Sequence, residues 1–160
     1  MAVLQNTGRI ALARAIASQS IHLAWGRGDP AWDAQPQPEP TDATALADEI
    51  GRRIATQVGY ARPDANGEIE MVSGRYTQSA QPTKWLYVRF TFDFGDAELQ
   101  TVRELGIFVG TQPAAGVPPG QRYLTPDQVA VAGDLYALER LPKFTRNGAV
   151  RQVFEYVLPF

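Results

Sequence analysis

Residues 84–110 read KWLYVRFTFDFGDAELQTVRELGIFVG, and no other stretch narrows the fold as far. Leu86, Val88, Phe90, Phe92 and Phe94 fall on one parity, with Trp85, Tyr87, Arg89, Thr91 and Asp93 on the other. A period of two is usable only by a strand. After a short polar break, residues 101–109 bring a second apolar run. Two such strands make a sheet that needs a second layer, so the core is expected here. The stretch carries no nucleophile, metal cluster or phosphate loop, which points to a chain that builds rather than catalyses.

The 160 residues suit a single domain over 1–160, long enough to bury a sizeable core. With 15 basic and 17 acidic residues the net charge is −2, so no electrostatic footprint for nucleic acid exists. Lysine occurs only at Lys84 and Lys143, and the other basic residues are arginine. That bias fits protein interfaces, where arginine is enriched and lysine depleted, and it fits GC-rich coding equally well. Cysteine is absent, which removes disulfides, zinc fingers and thiol chemistry. Residues 10–17 are too short and too broken by Arg14 for a signal peptide, and no run is long enough to span a membrane.

Asn6 or Thr7 is placed to cap a helix over 8–18, with Ile10, Ala13, Ile16 and Ala17 on one side. Residues 21–25 read as a strand. Four prolines make 26–41 a long loop, bracketed by Trp25 and Trp32, which suggests a loop pinned by packing. Thr41 or Thr44 is expected to open a second short helix running to Ile50 and stopped by Gly51. Residues 53–60 then alternate as a strand, Asn66-Gly67 signals a hairpin, and 69–76 is expected to pair after it. A second proline-rich loop covers 111–126. A strand over 134–141, a tight turn at Asn147-Gly148 and a strand over 150–158 close the chain. In that last strand Gln152, Phe154, Tyr156 and Leu158 share a parity. The expected class is α+β but mainly β: an antiparallel β-sandwich or partly closed barrel with two short N-terminal helices.

Catalytic chemistry finds little support. His22 lies mid-strand without a G-x-S-x-G elbow, and Ser18 and Ser20 sit at a helix end, where capping accounts for them. Asp93, Asp96 and Glu98 cluster at a strand end, and Asp29 and Asp33 lie in the first loop; a glycan hydrolase needs only two carboxylates. Asp96 reads more simply as turn chemistry. Glu104, among apolar neighbours, is expected to pair with an arginine. Gly26-Arg27-Gly28 lacks a phosphate-binding lysine, and Arg27-Gly28-Asp29, though the tripeptide of adhesion ligands, is ordinary turn sequence. No EF-hand spacing exists, and neither a metal nor a cofactor is expected. Trp25, Trp32 and Trp85 leave a carbohydrate-binding sandwich open. Interaction is the better-supported theme, because aromatics and arginine carry interface energy and the chain ends on the apolar run 154–160.

Three patches resemble the N-terminal domain of phage tail-collar fibre proteins. Leu4-Gln5-Asn6-Thr7-Gly8-Arg9 leads into an alanine-rich helix, and the following strand ends on Trp25-Gly26-Arg27-Gly28. TALADEIGR at 44–52 is similar to that family's next helix, and Arg103-Glu104-Leu105-Gly106-Ile107-Phe108 to its Glu-Ile-Gly-Leu-Phe strand. The order matches the family across residues 4–109. Such proteins attach fibres to tail baseplates through protein–protein contacts and without cofactors. The resemblance implies a non-enzymatic virion component of a tail or baseplate, assembled in the host cytoplasm. Its implied partners are other baseplate subunits and a fibre protein, in a symmetric homo-oligomeric assembly without nucleic acid or membrane. A fibre would continue into a shaft where this chain stops at Phe160, so the expectation is a stand-alone adaptor or baseplate component, or a fibre-anchoring protein whose shaft is a separate polypeptide. Trp25, Arg27, Trp32, Pro36, Pro38, Pro118, Pro119 and Phe160 are the expected interface residues, and deleting 35–39 is expected to spare folding and abolish assembly.

Overall fold

Helix α1 covers Asn6–Ala17, with Gln5 at the N-cap and no side-chain capping bond. Asn6 and Thr7 therefore lie within the first turn instead of capping it. Ser18 closes the other end, its hydroxyl donating to the Ala15 carbonyl at 2.8 Å. The computed structural model describes all residues from Met1 to Phe160 and is mainly β, with antiparallel sheets. It divides into two units, each assembled from separated segments. One comprises Met1–Gln19, Ala55–Phe90 and Val153–Phe160; the other comprises Ser20–Ile54 and Thr91–Gln152.

The first unit holds α1 and a five-stranded sheet. Its strands are β3 (Gln57–Pro63), β4 (Ile69–Met71), β5 (Gly74–Ser79), β6 (Trp85–Phe92) and β12 (Gln152–Pro159), in the order β12-β6-β3-β5-β4; the strand ends Thr91, Phe92 and Gln152 belong to the other unit. Along β6 the predicted parity holds: Leu86, Val88, Phe90 and Phe92 are each fully buried. Phe94 departs from it, because the strand ends at Phe92 and leaves Phe94 exposed. Ala61, Ile69, Tyr76 and Tyr87 form a second apolar cluster, with Met71, Trp85 and Val157 packed against it.

The second unit is built on the sheet order β11-β7-β1-β2-β9. These strands are β1 (Ile21–Gly26), β2 (Glu49–Ile54), β7 (Thr101–Val109), β9 (Tyr123–Leu124) and β11 (Asp134–Thr145). A small ladder joins β8 (Gln112–Pro113) to β10 (Val129–Val131). β1 is central, paired with β2 and β7, and every one of its residues is buried. Trp25 stacks on Phe92 with centroids 3.7 Å apart, and Tyr123 meets Phe92 edge-on.

Several expectations give way. The two strands of 84–110 lie in different sheets, so they do not pair with each other. The second helix does not form: 44–48 is irregular, and Glu49–Ile54 joins the ladder between β1 and β9. Leu46 instead plugs the core with Ala24 and Phe108. It stands where a Cβ on Gly106 would come within 2.8 Å of its Cδ2. Tertiary pairing overrides the helical spacing of Leu46 and Ile50. The strand expected over 53–60 breaks at Ala55-Thr56 into β2 and β3. Asn66-Gly67 forms a turn without positive φ, built by Asp64, whose carboxylate accepts the Asn66 N–H at 2.9 Å. The tight hairpin is one turn later, at Val72-Ser73, closed by Gly74 at φ +135°. Asn147-Gly148 does turn the chain, but between β11 and β12, which belong to different sheets.

Candidate functional site

The proline-rich segment after β1 is a strap laid over the outer edge of β11. Asp29 starts it by accepting the Ala31 N–H at 2.8 Å, with Pro30 beginning a single 3-10 turn, Pro30–Asp33. That capping role is the use of the Arg27-Gly28-Asp29 tripeptide here. Gly28 has φ +60°, and a Cβ there would collide with the Trp32 ring, so the chain must be glycine at that point. Asp33 receives a two-pronged bond from Arg103, at 2.8 and 3.0 Å, and a third from Lys143 at 2.7 Å. The Arg103 bonds first, and Lys143 next, hold the Asp33 carboxyl well below the usual carboxylate range.

Further along, the Arg140 backbone N–H donates to Glu39 at 2.9 Å, and its guanidinium donates to the Pro38 carbonyl at 2.7 Å. The same guanidinium lies over the Trp32 ring at 4.1 Å. Strap and strand enclose a groove of about 450 Å³ lined by Trp32, Pro36, Gln37, Leu141, Pro142 and Lys143. Pro142 suits an edge strand, where a missing N–H breaks no ladder. The groove combines an aromatic wall, rigid prolines, the cations Arg140 and Lys143 and the carboxylates Asp33 and Glu39. Those are the ingredients of a site for an extended polypeptide or a protruding side chain.

Beneath the strap the motif patches from β1, 44–52 and β7 interlock. Gly26 is the register partner of Glu104, whose buried carboxylate accepts the N–H groups of Ala47 at 2.8 Å and Asp48 at 3.3 Å. Glu104 thus hydrogen-bonds backbone amides, while the arginine directly across the ladder, Arg140, acts on it through charge without a hydrogen bond. Burial raises the Glu104 carboxyl above the usual glutamate value, partly offset by the two amides. Arg27 bonds Asp48 at 3.1 Å and Gln100 at 2.9 Å, tying the strap's first residue to the same corner.

Of the expected interface residues, Trp32 is half-buried at the groove wall, Arg27 is partly exposed, and Pro36, Pro38, Pro118 and Pro119 are exposed. Trp25 is fully buried in the core, so it presents nothing at a surface. Phe160 is half-buried, its N–H donating to the Lys84 carbonyl at 2.9 Å. The groove brings together Trp32 and Pro36; residues 111–126 do not line it. Arg140, Lys143 and Arg103 were missed because their role depends on a strand edge seventy and more residues from the loop. Only the coincidence of Pro142 with a cationic strand hints at it.

Asp93 and Asp96, the pair considered for hydrolysis, are committed elsewhere. Arg53 bonds Asp96 at 2.5 Å and Asp93 at 2.7 Å, and Asp96 also accepts the Asp93 N–H at 2.7 Å, which is turn chemistry. Buried Arg146 ties the Asp93 carbonyl to the Asn147 and Val150 carbonyls. His22 is buried, and desolvation first, then Arg52, lowers it to about 4. Arg52 is itself held by Glu49, Thr111 and the Ala132 carbonyl. Ser20 donates to the Thr111 carbonyl at 2.8 Å. Of the three tryptophans, Trp25 is buried and Trp85 packs in the first unit's core cluster, which leaves no stacking platform built from all three.

A family model described as baseplate wedge 3 tail fiber network component matches residues 1–160. No curated protein matches the chain.

Proposed function

The chain belongs over its whole length to the family of baseplate wedge 3 tail fiber network components, and on that premise we propose that it anchors tail fibres to the baseplate of a phage tail. It works through protein–protein contacts, with other baseplate subunits and a fibre protein as partners. It is carried in several copies in a symmetric ring or collar of the virion tail, assembled in the host cytoplasm. A structural role fits the family description, and the ion-paired state of Asp93 and Asp96 with Arg53 speaks against glycan hydrolysis by that pair.

The observation that carries this reading is the groove between the strap and β11. Its walls are preordered by the bonds from Arg103, Lys143 and Arg140, so docking there orders little additional chain. Exposed Pro118 and Pro119 offer a second rigid surface on the other proline-rich loop. The test replaces Pro36 and Gln37 by serine and Trp32 by alanine, leaving Pro38 and Glu39 to hold β11. The variant is expected to keep its circular dichroism spectrum and to be missing from tail particles viewed by electron microscopy. Normal fibre-bearing particles made with it overturn the reading.

A further inference from the structure

Each sheet ends on a long strand, and the chain treats these two ends differently. The outer edge of β11 is closed by Glu39 on the Arg140 N–H and carries Pro142. β12 is the outer strand of the other sheet and bonds only β6. Phe160 donates its N–H to the Lys84 carbonyl, which sets the parity of the strand before it. Leu158, Tyr156 and Phe154 aim their backbone groups at β6, so Val153, Glu155 and Val157 aim theirs outward. No turn or loop group bonds that outward row. Proteins normally blunt such an edge with a bulge, a covering segment or mid-strand prolines and lysines, and β12 has only Pro159 at its end.

The side chains beside this row define what it accepts. The Tyr87 hydroxyl donates to Glu155 Oε1 at 2.6 Å, and Arg89 Nε lies 3.7 Å from that same oxygen, leaving Oε2 open to an incoming donor. Val153 is 38% exposed, so an apolar contact is on offer beside the charge. Burial first, then the hydrogen bond to Glu155, pushes the Tyr87 hydroxyl up to about 12, so it remains a donor into alkaline solution. Self-pairing suits the edge poorly. A two-fold axis through Glu155 sets two carboxylates directly opposite, and one through Tyr156 places Pro159, which has no N–H, against Val153. One through Phe154 sets each Glu155 against an uncharged Val153, with the nearby Arg151 already bonded to Asp93.

We propose that β12 receives a strand from a different subunit: an extended segment with arginine or lysine facing Glu155 and β-branched or aromatic residues facing Val153 and Val157. Backbone bonds supply affinity and the charged pair supplies register, as in strand addition generally. The inference rests on the reading that this chain works by subunit contacts, but it uses a surface separate from the groove.

The test is amide hydrogen exchange on the full chain with three short peptides alternating valine and threonine. One has a central arginine, one a central glutamate, and one has the arginine with N-methylated alternate amides. The arginine peptide is expected to slow exchange at Val153, Glu155 and Val157 by about tenfold or more, corresponding to about 1.4 kcal/mol. The N-methylated peptide should leave those amides unchanged, and Glu155→Gln should narrow the preference for arginine over glutamate. Protection with no peptide that grows with chain concentration assigns the edge to a second copy and overturns the proposal. So does the absence of protection with every peptide, whatever the groove variant does to particle assembly.

Discussion

Gly26 and Glu104 should be energetically inseparable, and the geometry sets the size of the effect. A Cβ added at Gly26 would lie 2.5 Å from Glu104 Oε1, 2.8 Å from its Cγ and 3.0 Å from the Asp48 carbonyl. Gly26→Ala alone must displace the carboxylate from its two amides, a cost of about 1–3 kcal/mol. Glu104→Ala leaves the Ala47 and Asp48 N–H groups without their acceptor, at about 1–3 kcal/mol for each group that water does not reach. In the double variant the added methyl at position 26 occupies space vacated by the glutamate, and only the Asp48 carbonyl still crowds it. The double variant should therefore be about 1–3 kcal/mol more stable than the two single costs summed. Urea unfolding read by exchange of the Leu23 and Ile107 amides confines the measurement to the unit concerned. Additivity within about 0.5 kcal/mol would refute the argument that the two side-chain positions share one space.

His22 gives a pH prediction with a definite sign. Its folded pKa is about 4 against 6.5, so the unfolded chain binds the extra proton first. The stability it lends is fully present above pH 6.5 and lost as pH falls toward 4, amounting to about 3 kcal/mol. The difference in urea midpoint between wild type and His22→Gln should follow that window, and a flat difference defeats the claim. Arg53→Met should cost about 3–5 kcal/mol, because Asp96 is left as a buried charge without its cation. Adding Asp96→Asn should restore part of that loss in a thermal melt; no restoration means the burial of Asp96 is not what matters.

The core was legible where one physical rule acted alone. Alternation in 84–92 named the buried face of β6 residue by residue, and it failed at Phe94 only because the strand stops. The parity of Gln152, Phe154, Tyr156 and Leu158 likewise survives in β12. Legibility ended where a local signal competed with distant pairing. Leu46 and Ile50 carry helical spacing, yet β1 offers a ladder that a helix cannot use. Glu104 was legible as a buried acid requiring compensation, but its partners are amides that carry no sequence signature. In the candidate site, Trp32 and Pro36 were visible from composition. The cations that set the strap in place were not, since nothing in a loop announces which strand edge it will cover.

The interleaving of segments has a consequence for synthesis. Residues from Met1 to Gln19 leave the ribosome long before Val153, yet their unit needs the strand from Val153 onward, so its sheet stays one strand short until those residues emerge. The other unit has all its segments once Gln152 has been made. During translation β6 must therefore wait with its β12-facing edge unpaired. A released chain truncated after Gln152 should expose that edge to chaperones, while the strap and its groove have every segment they need.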